Sequence, residues 1–538
     1  MTAGCSPEHY EIRQKPRVFD FITIEGLERL LTGQTPDCFI LFMTKELVDN
    51  ALDKEGVKEI RVKIQKEDNA LILSVSDNGR PTFNRRMLDK VLDFEKAPSS
   101  KRGLKTIRRG VLGNALQCCF GISYAMWQDG RPEYTAEVIG EKRFLIDLKP
   151  SEENIEASIL EEPCENNGFT TLSFKLPIHD YESPFDVLRI IAMLNPHVTI
   201  HYEERGLSKT FKARTEKLLV RYETDINWYA PEEFENLVDE YKEMPVEKFV
   251  TLFRGVRNRL YAKEVLQVAG IESRSRLREI SKEQVRRLYE SLKNRVGLLN
   301  SNRLPKLGRT FLENFEGYSL VRYAVKRFIY EDENKKIPII VEAASFRNDK
   351  GEGNIFEAIK FTASFKYPFI AIPPYSRSIL NNVMSKELIV LIHVICPSII
   401  WLDPAKGNVD IDQFVIRKKK GKKIKKEYVI YSLLKAVCRA EVDHKFDYKT
   451  LVELTNEIMS HYPKHTSFTV RQIFYRLVAL HEYPNKEQLY KKLVNVLVRA
   501  REEGLVDADR IVDFSRPEYM NNSHYRSLPE KLQEDVKL

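Results

Sequence analysis

The spacing of apolar residues changes period several times along the chain, and each change marks an element. In "CFILFMTKELVDNALDKEGV" (residues 38–57) they fall on helical spacing, whereas "EIRVKIQ" and "ALILSVSD" alternate as half-buried strands do. Strands and helices continue to about residue 205, an α+β layer pattern with helices on one face of a mixed sheet. From 206 to about 315, "PEEFENLVDEYK", "PVEKFVTLFRGV", "RLYAKEVLQVAGI" and "SKEQVRRLYESLKNRV" predict four short helices separated by turn residues. Strand-like runs return at "IPIIVE" (337–342) and at "LIVLIHVICPSIIWL" (388–402). The second run contains His393 and Pro397 and is too short for a membrane span, so it predicts a buried strand pair. Helical spacing appears near 429–441 and again in a compact region from 446 onward. There, Phe468, Val470, Ile473, Leu477 and Leu480 outline one amphipathic helix.

Composition refines this picture. With 538 residues the chain exceeds one core, and 43% hydrophobic with 30% charged residues is the balance of a soluble globular protein. The net charge of +8 is uneven, because "RKKKGKKIKK" (417–426) has eight basic residues and no acid. Such a run is either a solvated hairpin or a contact for a phosphate backbone. Seven cysteines without paired short spacings argue against a disulfide framework and a zinc ribbon, and Cys118-Cys119 lie in an apolar helix as core residues. No secretory leader pattern is visible, which points to a reducing, cytoplasmic setting.

The candidate chemistry is concentrated between 46 and 114. "ELVDNALD" places Glu46 and Asn50 on one helix face, where a carboxylate can deprotonate water and an amide oxygen can join a magnesium shell. "SVSDNGRP" puts Asp77 at a strand end, an acceptor suited to the exocyclic amine of adenine, with Gly79 in the turn beside it. In "SSKRGLKTIRRGVLGNALQ", Gly110 and Gly113 precede an apolar helix whose amides can face phosphates, with Ser100, Lys101 and Lys105 nearby. "NNGFTTLSF" then sets Gly168, Thr170 and Thr171 at a strand start, and no Walker-type phosphate loop occurs.

These four motifs, in order, resemble the GHKL (Bergerat) ATPase family shared by gyrase and histidine kinases, most closely the B subunit of topoisomerase VI, with "LNPHVTI" (194–200) a further likeness. The resemblance implies ATP and Mg2+ as cofactors, Glu46 as general base, Asn50 as magnesium ligand, Asp77 as adenine reader, and Gly110 and Gly113 as the phosphate lid. Gly79, Lys101 and Thr170 complete the implied cofactor-binding set. Arg80-Pro81 stands where the family has a second turn glycine, and the lid is sparse in glycine, which leaves slow turnover or binding with little hydrolysis open. The four-helix stretch resembles that subunit's helix-two-turns-helix domain, in which Arg254, Arg257, Arg274 and Arg276 either pack or face a duplex. Residues 316–445 look distantly like a reduced transducer region, with Lys406 the positional candidate for its phosphate-contacting lysine.

Near the C-terminus, "TVRQIFYRL" resembles the R-x-x-Y-Y element of the winged-helix domain in the A subunit of topoisomerase VI. On that resemblance Tyr475 is the nucleophile toward a DNA phosphodiester, Arg471 matches the arginine, and Phe474 replaces the first tyrosine. A phenol with an ordinary pKa of about 10 needs activation, and Arg471 and Arg476 are cations within about a turn.

The fused layout resembles the topoisomerase family called mini-A. Its expected parts are an arm (1–20), a GHKL domain (21–205), a helix-two-turns-helix domain (206–315), a transducer-like region with the basic run (316–445) and a winged-helix domain (446–538). No Toprim domain fits after the tyrosine helix, so the cleavage metal would come from acids such as Glu502, Glu503, Asp507, Asp509 and Asp513, or from a separate Toprim-bearing subunit. The expected activity is ATP-dependent cleavage of double-stranded DNA by a homodimer with no membrane association, through a phosphotyrosine or by hydrolysis. The rival from another class is a non-cleaving, ATP-gated DNA clamp.

Overall fold

Nearly every side of the first long helix is apolar, and the fold covers it accordingly. The computed structural model describes residues 18–95, 103–107, 114–165, 167–216, 224–297, 304–315, 318–332, 334–348, 353–365, 368–369, 388–402, 409–420, 423–438, 448–463, 465–481 and 485–512, with Phe446 and Tyr483. It is an α+β protein with two compact units, 1–438 and 439–538. Among the described residues, no helix is long and apolar enough to cross a membrane.

In the first unit, α1 (Phe39–Leu52) is buried at every position but Glu46 and Asn50. It packs on a sheet whose first hairpin is β1 (Glu59–Glu67) and β2 (Ala70–Asp77). In β2, Leu71, Leu73, Val75 and Asp77 form the buried row, so the carboxylate takes the last place in an otherwise apolar stripe. Then come α2 (Arg85–Val91), α3 (Ala115–Ala125), β3 (Ala136–Ile139), β4 (Arg143–Pro150), β5 (Ile155–Glu162), β6 (Thr170–Pro177), α4 (Phe185–Leu194), β7 (Thr199–Glu204) and β8 (Leu207–Phe211). The eight strands order as β5-β4-β3-β6-β2-β1-β7-β8, antiparallel except where β1 meets β7.

Helices α5 (Pro231–Glu240), α6 (Val246–Val250), α7 (Arg259–Ala269) and α8 (Lys282–Arg295) occupy the stretch where four were expected. Proline opens α5, a left-handed Gly270 closes α7, and Ser281 with Gln284 forms a capping box on α8. Phe234, Phe249, Phe253 and Tyr289 close the interior of this group with ring contacts near 6 Å. A short helix, α9 (Arg309–Leu312), leads into the second sheet.

That sheet holds β9 (Asn314–Phe315), β10 (Tyr318–Asp332), β11 (Lys335–Asn348), β12 (Asn354–Ile359), β13 (Thr362–Ala363) and β14 (Leu388–Ile395), in the order β13-β12-β14-β11-β10-β9. Residues 388–402 therefore form one strand, not the pair expected from their apolarity. Pro397 follows the strand, and the remaining apolar residues continue as coil. Residues of β11 alternate between two cores: Ile340, Ala344 and Phe346 face the core shared with the first sheet and the helices, while Ile339, Val341 and Ala343 face α10 (Val429–Val437) and its neighbours. The basic run is a hairpin of β15 (Val415–Lys420) and β16 (Lys423–Tyr428), with Arg417 in register with Lys426.

One buried carboxylate organises the second sheet. Glu342 accepts from Leu307 N (2.9 Å), Gly308 N (2.8 Å), the Tyr323 hydroxyl (2.6 Å) and His393 Nδ1 (3.0 Å). Burial alone would raise its pKa, but His393, Tyr323 and the Gly308 amide outweigh that and hold it below the usual carboxylate range. The His393 Nε2 accepts from Phe361 N at 3.1 Å, so the ring is the tautomer protonated at Nδ1. Glu342→Leu removes the acceptor from all four donors at once. The expected cost is about 3–5 kcal/mol, measured as a lower urea-unfolding midpoint than that of the wild type.

The second unit, described by itself, holds α11 (Tyr448–Ser460), β17 (Phe468–Thr469), α12 (Val470–His481), α13 (Glu487–Glu502) and β18 (Ile511–Val512), with β17 and β18 parallel. Thr469 and Gln472 cap α12 reciprocally, Thr469 Oγ1 accepting from Gln472 N and Gln472 Oε1 from Thr469 N. Its core includes Phe446, Leu451, Ile473, Phe474, Leu477 and Leu493.

Candidate functional site

The open stripe of α1 carries the two residues singled out for chemistry. Asn50 is exposed, and the Glu46 side chain keeps 19% of its surface accessible. Lys45 Nζ holds Glu46 Oε1 at 2.9 Å and Asp49 Oδ2 at 2.9 Å. Burial alone would lower the Lys45 pKa, but the two carboxylates outweigh it and raise it. Helix α3 packs against α1, and after burial the Glu46 charge is the main influence raising the Cys118 thiol pKa.

At the other end of the site, β2 and β6 run antiparallel with Asp77 directly opposite Thr170. Thr170 is buried and its hydroxyl accepts from Phe83 N at 3.4 Å. Asp77 Oδ1 accepts from Gly79 N at 2.9 Å, and Oδ2 from Lys54 Nζ at 2.7 Å. Burial raises the Asp77 pKa despite Lys54 and the Gly79 amide. A Cβ on Gly79 would lie 2.6 Å from Lys54 Cβ and 3.2 Å from Asp77 Oδ1, so glycine is required for this turn to close. Because Lys54 follows α1 directly, its bond to Asp77 ties the end of that helix to the end of β2.

The structure thus brings Asp77, Gly79 and Thr170 together beside the C-terminal end of α1, and Glu46 and Asn50 onto its one uncovered face. Lys101, Gly110 and Gly113 lie outside the described residues, as do Ser100 and Lys406. Lys105 is bound elsewhere: its Nζ meets Glu233 Oε2 at 2.5 Å and Trp228 O at 2.8 Å, against α5. Three partners were missed from sequence: Lys45, Asp49 and Lys54. The first two form an i,i+4 pair with the favoured residue, Glu46, between them, a pattern visible in "KELVD" once burial of that face is known.

In the second unit, α12 presents Arg471 and Tyr475 one turn apart on its exposed face, with Tyr475 52% exposed. Phe474 turns inward, its ring 5.7 Å from Tyr483 and 5.4 Å from Tyr490, and the Arg471 guanidinium lies 6.0 Å from the Tyr490 ring. Arg476 points away from this face, hydrogen-bonding the Tyr462 hydroxyl and stacking on its ring at 4.3 Å. Two arginines of the helical group are likewise engaged: Arg254 with Asp225 at 2.5 Å and Arg276 with Glu243 O at 2.8 Å, while Arg257 and Arg274 are exposed. Of the acids near the C-terminus, Glu503 is held by Arg499 and Tyr448, and Asp507 caps a turn through Asp509 N. Asp513 lies outside the described residues, and among those described no group of three or more His, Cys, Asp or Glu side chains is placed to hold a metal ion.

No family model matches the chain, and no curated protein matches it.

Proposed function

We propose that the protein is an ATP-dependent, DNA-cleaving homodimer of topoisomerase VI-like type, with a GHKL nucleotide site on its first sheet and Tyr475 as the DNA nucleophile. The observation that carries the nucleotide half is the register of Asp77 against Thr170 beside α1, whose uncovered stripe is Glu46 and Asn50. Asp77 then takes the exocyclic amine of the base, and Asn50 offers its amide oxygen to Mg2+. Glu46 takes the proton of the attacking water. Mg2+ on the phosphates would neutralise the charge that develops during transfer.

For the DNA half, support comes from the outward face of Arg471 and Tyr475 and from the basic hairpin, whose charge pattern suits a phosphate backbone. Attack of the Tyr475 oxygen on a backbone phosphorus would form a phosphotyrosine bond and release the sugar hydroxyl. Arg471 would meet the developing negative charge.

The test is ATP binding by the full chain, followed calorimetrically in Mg2+, with Asp77→Asn beside the wild type. Replacing one accepting carboxylate oxygen with an NH2 donor, and removing the charge, is expected to weaken ATP binding by about ten- to a hundredfold. Equal affinity in the two proteins would remove Asp77 as base reader, and a wild-type chain that binds no nucleotide would remove the site.

A further inference from the structure

The turn between β12 and β13 reaches across to α1, and its backbone is unusual. Lys360 and Phe361 both adopt left-handed conformations, with φ of 53° and 66°, which non-glycine residues hold only when their surroundings enforce it. Here the surroundings do so: Lys360 N donates to Val394 O at 2.9 Å, Phe361 N to His393 Nε2 at 3.1 Å, and Asn195 Nδ2 to Phe361 O at 2.9 Å. The next residue, Thr362, donates its hydroxyl to Asp49 Oδ2 at 2.8 Å, the same oxygen that receives Lys45 Nζ. Phe365 continues the contact, its ring 5.1 Å from Lys45 Nζ and 6.1 Å from the Phe42 ring.

We propose that Thr362, carried by the second sheet, is a positioning residue for the Glu46 carboxylate, acting through Asp49 and Lys45. The inference rests on the proposed role of Glu46 as base. Lys45 grips Glu46 Oε1 at 2.9 Å, and Glu46 lies on the one face of α1 that is not buried. Thr362 satisfies part of the Asp49 charge, so Lys45 stays shared between two carboxylates. Without that hydroxyl, Asp49 draws Lys45 to itself and Glu46 loses its anchor. The second sheet therefore sets the geometry of the base, and the strained turn fixes where the hydroxyl sits.

The experiment measures steady-state ATP hydrolysis by the full chain in Mg2+, with Thr362→Val, Thr362→Ser and the wild type, and thermal unfolding alongside. Valine keeps the shape and removes the hydroxyl. The expected result is a fall in kcat on the order of tenfold with KM unchanged, an unfolding temperature near that of the wild type, and recovery of kcat with serine. Wild-type kcat in Thr362→Val, or a loss that serine does not restore, overturns the positioning role while leaving the nucleotide site standing. A wild-type chain that binds ATP but hydrolyses none overturns the base and this role together.

Discussion

Glu46→Ala is expected to lower ATP turnover by about a hundred- to ten-thousandfold and to leave ATP binding near its wild-type strength, if Glu46 is the proposed base. The direction follows from the role of a base, which acts on water in the transition state and contributes little to holding the ground-state nucleotide. Its setting makes the substitution clean. Lys45 keeps Asp49 as a partner at 2.9 Å after Glu46 is gone, so no buried cation is left without a counter-charge. Glu46 is also one of only two residues of α1 that escape burial, so its loss opens no cavity. The check pairs steady-state hydrolysis with calorimetric ATP binding on the same preparations. Undiminished turnover would reassign the base.

On the proposed role, Tyr475→Phe is expected to abolish DNA cutting, by at least about a thousandfold, with DNA binding and stability unchanged. Only an oxygen is removed, and among the described residues no side chain hydrogen-bonds to that hydroxyl, which stands on a half-exposed ring. The packing is carried by its neighbour: Phe474 lies in the core against Tyr483 and Tyr490, while Tyr475 faces outward. A surface change of this kind shifts stability by no more than about 0.5 kcal/mol. The measurement is plasmid linearisation beside a gel-shift titration with duplex DNA. Full cutting by Tyr475→Phe would make the tyrosine a surface residue of a clamp or place the nucleophile elsewhere.

Much of the fold was legible wherever one period ran uninterrupted. The helix over Phe39–Leu52, the β1–β2 hairpin and the four helices α5 to α8 each stand where apolar spacing put them. The second sheet was harder to see. Strand β10 is half-buried along most of its length and mixes charged with apolar residues, so neither strand alternation nor a continuous apolar run announces it. Apolarity alone implies two strands over 388–402 because it continues past Pro397, where burial comes from packed coil and not from a ladder.

At the site, the motif residues were visible but their electrostatic partners were not. Lys45 and Lys54 look like surface charges in sequence, yet Lys45 is buried and Lys54 half-buried, each against a carboxylate. The opposition of Asp77 and Thr170 depends on strand register, and the contact of Thr362 with Asp49 on a turn from a distant sheet. Local spacing carries neither.

The most direct measurement of the proposed activity incubates supercoiled plasmid with the purified full chain, Mg2+ and ATP, and compares gels with and without protease digestion. Linear product that requires ATP, Glu46 and Tyr475, with a mobility shift released by protease, is the result expected for a phosphotyrosine-linked break. Plasmid that stays intact while the chain binds both ATP and DNA would contradict cleavage and leave an ATP-gated clamp.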